Sequence, residues 1–204
     1  MKIDVQQVGE LMTNCYLVWD ENTMNAAVID PGDYGAYLWD CLKARGLTLK
    51  YILLTHGHFD HIGGLEELRE VCDGDPQVFI SEADIALPSV FGENVKIDPT
   101  TVTFWKDGDT VELDSITFHV LSTPGHTPGS VCLVTDEAIF SGDTLFRDSC
   151  GRTDFPGGSW TQMAASLKRL YDLPGDYRVY SGHTDATTLS RERRLNMFMQ
   201  SALS

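Results

Sequence analysis

Six histidines occur in this chain, and three of them fall within the segment Thr55-His56-Gly57-His58-Phe59-Asp60-His61. Imidazole nitrogen and carboxylate oxygen are the donors that suit Zn²⁺, Fe and Mn. His56 and His58 lie two apart on a stretch that reads as extended backbone, so both side chains leave the same face and can bite one ion. Asp60 and His61 come where the chain turns into a helix; they point elsewhere and can serve a second ion nearby. Three further candidates sit in turns after apolar runs: His126 in Ser122-Thr-Pro-Gly-His-Thr-Pro-Gly129, Asp143 in Phe140-Ser-Gly-Asp-Thr144, and His183 in Val179-Tyr-Ser-Gly-His183. Ser-Gly precedes each of the last two, and a small residue there lets the backbone crowd close to a ligand site. Taken singly, Asp60 is equally an N-cap and His126 an ordinary turn residue. Taken together, the set reads as a metal site with places for two ions. His119, mid-strand in Ile116-Thr-Phe-His-Val120, reads instead as a packing or surface histidine.

The elements that must hold these residues alternate. Ile3, Val5 and Val8, then Cys15–Trp19 and Ala26–Ile29, read as strands that end at the turn Asp30-Pro-Gly-Asp33. Tyr34 to Arg45 is helical by its apolar spacing and is closed by Gly46. Tyr51-Ile-Leu-Leu54 is a continuous apolar run, as expected of a strand buried on both faces, and it feeds the histidine loop directly. A helix is expected near Ile62–Val71, a strand at Gln77–Ile80 and a short helix after Ser81. The stretch 102–146 is dense in strand signals. Helices return near Trp160–Tyr171 and Arg191–Ala202, with Arg178-Val-Tyr180 as a last strand between them. Strand-rich blocks among helices point to an α+β arrangement of two packed sheets flanked by helices, in one domain spanning residues 1–204.

Composition narrows the partners. Fifteen Lys+Arg against 30 Asp+Glu leave a formal charge of −15, which repels polyanions, so neither nucleic acid nor an anionic membrane surface is expected. No run is long and apolar enough to span a bilayer, and the first twenty residues build no signal-peptide core. The five cysteines are odd in number and contain no Cys-x-x-Cys pair, which fits reduced thiols and a cytoplasmic setting. Cys132, between Val131 and Leu133, reads as a small buried hydrophobe.

The ordered set His56-x-His58-x-Asp60-His61, His126, Asp143 and His183 resembles the metallo-β-lactamase-fold superfamily over nearly the whole chain. The resemblance implies a four-layer αββα sandwich with its metal site at one edge of the two sheets. It implies His56, His58 and His126 on the first metal, Asp60, His61 and His183 on the second, and Asp143 bridging both, with Zn the expected metal and Fe or Mn also suited. Asp30, in Ile29-Asp-Pro-Gly32, is similar to a family acid that orients the histidine loop, although a turn-forming Asp reads equally well.

Within that superfamily, Thr123–Ser130, Ser141–Phe146, Gly151-Arg-Thr-Asp-Phe-Pro-Gly-Gly158 and Gly182-His-x-x-x-Thr-Thr188 resemble the short members of the glyoxalase II (hydroxyacylglutathione hydrolase) group. Asp143 departs from the true β-lactamases of the fold, and nuclease branches usually carry long insertions. Full-length glyoxalase II adds a C-terminal helical domain, whereas residues 184–204 leave room here for one helix. The implied activity is hydrolysis of a small-molecule thioester such as S-D-lactoylglutathione, by a hydroxide shared between two divalent ions, with Asp60 and Asp143 central to the chemistry. Arg152 falls where that group has a basic substrate-contacting residue; the alternative is a structural Arg paired with Asp154. Arg191, Arg193 and Arg194 could hold a substrate carboxylate but read mainly as a solvated helix face, and Cys150 reads as a wall of the site. The segment Gly151–Phe155 also resembles the mononuclear-iron persulfide dioxygenases, the rival branch; hydrolysis of another ester or lactone is a further alternative.

Overall fold

The computed structural model describes residues 1–88 and 96–203. Its first sheet runs in the order β1 (Lys2–Val8), β2 (Thr13–Trp19), β3 (Asn25–Ile29), β4 (Thr48–Leu53), β5 (Gln77–Ser81), β6 (Thr103–Trp105). Neighbours are antiparallel from β1 to β3 and parallel from β3 to β6. Parallel neighbours need a crossover, and α1 (Gly35–Ala44) and α3 (Leu65–Val71) supply those between β3 and β4 and between β4 and β5. The second sheet is ordered β14 (Thr187–Thr188), β13 (Arg178–Ser181), β10 (Ala138–Gly142), β9 (Val131–Val134), β8 (Ile116–Ser122), β7 (Thr110–Leu113). It is antiparallel except at the β10–β13 pair. A small hairpin, β11 (Leu145–Phe146) with β12 (Ser149–Cys150), lies apart from both sheets.

The period of two along each strand sorts side chains into separate cores. In β2, Cys15 and Leu17 face one core while Tyr16 and Val18 face another; in β3, Ala26 and Val28 part from Ala27 and Ile29 in the same way. The first core packs sheet one against Leu38 and Leu42 of α1 and Leu65 and Leu68 of α3. The second lies between the sheets, joining Ile29 and Leu53 to Phe118, Leu133 and Phe140. The third packs Cys132, Ile139 and Val179 against α4 (Trp160–Tyr171) and α6 (Met197–Ser201) through Met163, Leu167, Leu170 and Met199. Three cores between four layers make the αββα sandwich that the resemblance implied. Ile52 and Leu53 point into different cores, so β4 is buried on both faces as its apolar run predicted. Cys132 is fully buried and His119 is exposed, each as expected.

Two expected helices are interrupted. The one near Ile62–Val71 is α2 (Phe59–Ile62) and α3, separated at Gly63-Gly64. There the backbone of residues 31–33 comes so close that a Cβ on Gly63 would stand 2.5 Å from Gly32 O, and Gly64 N donates to Pro31 O at 2.8 Å. The one near Arg191–Ala202 is α5 (Leu189–Leu195) and α6, divided at Asn196. Its Oδ1 caps α6 by accepting from Phe198 N and Met199 N, and its Nδ2 donates to Ser149 O at 2.8 Å. The helix expected after Ser81 is a single 3-10 turn, Glu82–Asp84. Among the described residues, no helix is long and apolar enough to cross a membrane.

Candidate metal centre

Every candidate ligand leaves the C-terminal end of a strand. His56 and His58 follow β4, with Asp60 and His61 in α2; His126 follows β8, Asp143 follows β10 and His183 follows β13. Backbone bonds stitch these ends together: Val131 N to Thr55 O at 2.9 Å across the two sheets, Gly182 N to Gly142 O at 2.9 Å, and Asn14 N to Gly182 O at 2.7 Å. The two Ser-Gly pairs have the steric role their spacing implied. A Cβ on Gly182 would stand 2.3 Å from Asp143 Oδ1, and one on Gly142, where φ is +46°, 2.3 Å from Thr55 Oγ1.

The seven predicted residues converge as two triads around one carboxylate. Donor atoms of His56, His58 and His126 all lie within 4.8 Å of one another, as do those of Asp60, His61 and His183. His58 Nδ1 is 2.8 Å from His126 Nε2, and His183 Nε2 is 3.2 Å from Asp60 Oδ2. Asp143 stands between the triads, with Oδ1 3.4 Å from His61 Nε2 and Oδ2 3.4 Å from His126 Nε2.

Buried polar atoms ordinarily find hydrogen-bond partners. Among the described residues, the buried side-chain atoms without one are His56 Nε2, His61 Nε2, Asp143 Oδ1 and Trp105 Nε1. Three of these four are donors aimed into the triads, so the site fits a cation: the cluster is capable of binding metal. The opposite ring nitrogens are engaged. His126 Nδ1 meets Arg152 O at 2.8 Å, and His61 Nδ1 meets Asp30 Oδ2 at 2.9 Å. A carbonyl and a carboxylate only accept, so both Nδ1 atoms carry protons. Asp30 also accepts from Thr55 N at 2.7 Å and Thr55 Oγ1 at 2.6 Å. Asp30 could be grouped with His56 and His61 as a third set of donors. Its oxygens are already occupied, and it faces His61 from the side away from Asp143; orienting the ring is the role this geometry gives it.

Electrostatics follow from crowding acids and imidazoles where water is scarce. Burial, then the other histidines, holds His56 well below the usual imidazole range and His58 down at about 4. Both are neutral near pH 7, as ligands must be. His61 goes the other way: burial opposes its charge, but Asp143, Asp60 and Asp30 overcome that and raise it. Burial would likewise lift Asp60 and Asp143, yet the surrounding histidines hold both carboxyls low. Burial opposes charge on His183 as well, yet Asp60 and Asp143 raise it. The acids gathered here thus favour positive charge, which a bound ion would supply.

A cavity of about 470 Å³ opens onto the triads, walled by Leu11, Phe59, Phe146 and Phe155, with Cys150 and Arg152 at its side. Arg152 lines the cavity and pairs with Asp154. Its guanidinium lies 3.8 Å from the Phe155 ring centre at the cavity, while Nε and Nη2 each donate to Asp154 at 2.7 Å. The basic cluster lies away from the cavity walls. Arg193 donates to the carbonyls of Tyr171, Leu173 and Gly175, and Arg191 pairs with Asp148 and buried Glu192. Burial pushes the Cys150 thiol up to about 11, so it is protonated near neutral pH. Sequence reasoning missed Thr13, whose Oγ1 donates to Asp60 Oδ2 at 3.0 Å, and Asn14, whose Nδ2 donates to Ser181 O and Thr184 O. The one signal available was a polar pair opening an otherwise apolar strand.

The profile of the Metallo-beta-lactamase superfamily matches residues 8–183, and the chain belongs to that superfamily. It is 34% identical to hydroxyacylglutathione hydrolase GloC of Haemophilus influenzae, over 98% of this chain and 99% of the relative. Among solved structures it resembles the BLEG-1 B3 metallo-beta-lactamase, with TM-score 0.88 and 32% identity over 97% of this chain and 99% of that one. It also resembles TTHA1623 in a di-iron-bound form, with TM-score 0.81 and 36% identity over 96% and 99% of the two chains. The chain is thus a metallo-hydrolase by family.

Proposed function

We propose that this chain is a binuclear thioesterase of the glyoxalase II type, cleaving S-D-lactoylglutathione or a related thioester. The observation that carries the reading is Asp143, whose carboxylate stands between the two triads, Oδ1 3.4 Å from His61 Nε2 and Oδ2 3.4 Å from His126 Nε2 and 3.7 Å from His183 Nε2. His56, His58 and His126 would hold one divalent ion, and Asp60, His61 and His183 the other, with Asp143 between them. Zinc is the expected metal, and the di-iron relative makes iron the alternative to measure against it. Bound divalent ions bring a water toward a pKa of about 7 and polarise a carbonyl oxygen.

The chain's own residues account for the rest. Leu11, Phe146 and Phe155 wall the cavity with apolar surface that excludes water and takes the uncharged part of a substrate. Asp30, Arg152 O and Thr55 orient ligand rings before substrate arrives. The Arg152 guanidinium, over the Phe155 ring at the cavity and paired with Asp154, is placed to exchange that partner for a substrate carboxylate. The Cys150 thiol, protonated and lining the cavity, is a wall rather than a nucleophile. A thiolate leaves readily, so cleavage needs no strong side-chain acid.

The test is loss of thioester absorbance with purified, metal-replete protein and S-D-lactoylglutathione. A kcat/KM at or above about 10⁴ M⁻¹s⁻¹ supports the reading. A negligible rate in protein carrying two ions per chain refutes it. Turnover of a β-lactam instead would favour the activity named for BLEG-1. Oxygen uptake with glutathione persulfide by protein holding one iron would favour the persulfide dioxygenase branch, which the segment Gly151–Phe155 resembles.

A further inference from the structure

Asp84 ends the 3-10 turn after β5, far in sequence from every ligand, and it is 2% exposed. Its Oδ2 accepts from Gly57 N at 3.0 Å and from Thr127 Oγ1 at 2.7 Å, and its Oδ1 accepts from Gly129 N at 2.7 Å. Gly57 is the residue between His56 and His58, while Thr127 and Gly129 belong to the turn that presents His126. One carboxylate therefore grips both loops that supply the first triad. Both glycines let it come this near. A Cβ on Gly57 would stand 2.5 Å from Asp84 O, and one on Gly129 2.5 Å from Asp84 Oδ1. Thr127 is fixed in turn by Ser130, its Oγ1 lying 2.7 Å from Ser130 Oγ.

The second triad is held differently. His61 rests on Asp30, Asp60 on Thr13, and the His183 turn on Asn14 and Tyr16, whose hydroxyl donates to Ser181 O at 2.6 Å. None of these braces passes through Asp84.

We propose that Asp84 is the positioning residue of the first metal site: by clamping the Gly57 and Thr127–Gly129 backbones to one carboxylate, it sets the spacing of His56, His58 and His126 and so the affinity of that site alone. The inference rests on the cluster binding metal at two places, and not on the thioesterase activity.

The experiment compares wild type with Asp84→Asn. The amide keeps the shape but turns an NH₂ toward donors that need an acceptor, so the Gly57 or the Gly129 N–H loses its partner. Metal-free protein is titrated with Zn²⁺ against a competing chromophoric chelator, and the occupancy of each site is assigned by anomalous diffraction at the zinc edge. The expected result is a loss of roughly 10–100-fold in affinity at the His56/His58/His126 site, with the Asp60/His61/His183 site unchanged. Equal weakening of both sites, or no weakening, overturns the proposal. If Asp84→Asn does not fold, Thr127→Val and Gly129→Ala each disturb one arm of the clamp. Either of them binding both ions with wild-type affinity overturns it equally. A failed thioester assay alongside selective loss of the first ion would refute the proposed function and leave this inference standing.

Discussion

Replacing Asp30 by Asn tests whether the metal centre is built in advance by buried acceptors. The carboxylate is 2% exposed and serves three donors: Thr55 N–H at 2.7 Å, the Thr55 hydroxyl at 2.6 Å and His61 Nδ1–H at 2.9 Å. Asn suits the backbone there, where φ is +53°, so the effect falls on the side chain alone. A carboxamide offers one acceptor oxygen. The Thr55 hydroxyl can rotate to accept from the new NH₂, but one of the two N–H groups is then stranded. A stranded buried donor costs about 1–3 kcal/mol, and turning the remaining charge-assisted bonds into neutral ones costs roughly another 1 kcal/mol each. The metal-free protein should lose about 3–5 kcal/mol of unfolding free energy by that reckoning. His61 also loses the partner that keeps its proton on Nδ1, so metal affinity at the second triad should fall roughly 10–100-fold. Urea unfolding of the metal-free chain and chelator competition measure the two effects. A change below about 1 kcal/mol together with unchanged metal affinity would refute the reasoning, because the three short bonds would then contribute neither stability nor orientation.

Asp143→Ala should lose metal and thioester hydrolysis together, the rate by at least about 100-fold; two ions still bound per chain, read by elemental analysis, would exclude a carboxylate shared by both triads. Arg152→Ala should raise KM for an anionic thioester and leave kcat, with little change for an uncharged one; steady-state kinetics on the pair of substrates decides it, and a fall in kcat alone would make the residue structural. At the end of β2, hydrogen bonds from Ser115 and Asn22 hold the Asp20 carboxyl down at about 2. A lowered pKa contributes stability above the unfolded value near 3.9 and loses it as pH falls toward 2. The midpoint of urea unfolding should therefore decline across that window in wild type and decline less in Asp20→Asn; parallel curves would contradict the assignment.

How much of this was legible in the chain depends on the distance over which each feature is decided. The histidine loop could be read because its ligands are neighbours: spacing along one extended segment sets which face His56 and His58 share, before any tertiary contact forms. The Ser-Gly pairs before Asp143 and His183 were legible for a similar reason, since the absence of a Cβ is a local fact whose steric use can be inferred. The apolar run Tyr51–Leu54 foretold a strand buried on both faces, and the resemblance placed it in a four-layer sandwich.

Other features belong to the packed molecule. The break at Gly63-Gly64 is imposed by the backbone of residues 31–33 lying against it, and the break at Asn196 by carbonyls of the β11–β12 hairpin. Arg193 reads as one of a basic cluster along the chain, yet in the fold it gathers the three carbonyls left behind α4. Thr13, Asn14 and Asp84 do not name in sequence the loops they brace, because each acts on a loop dozens of residues away. Residue types and short spacings name the ligands, since coordination chemistry is a property of side chains. Their support is decided by tertiary structure, because a buried carboxylate must satisfy whichever donors the fold brings to it.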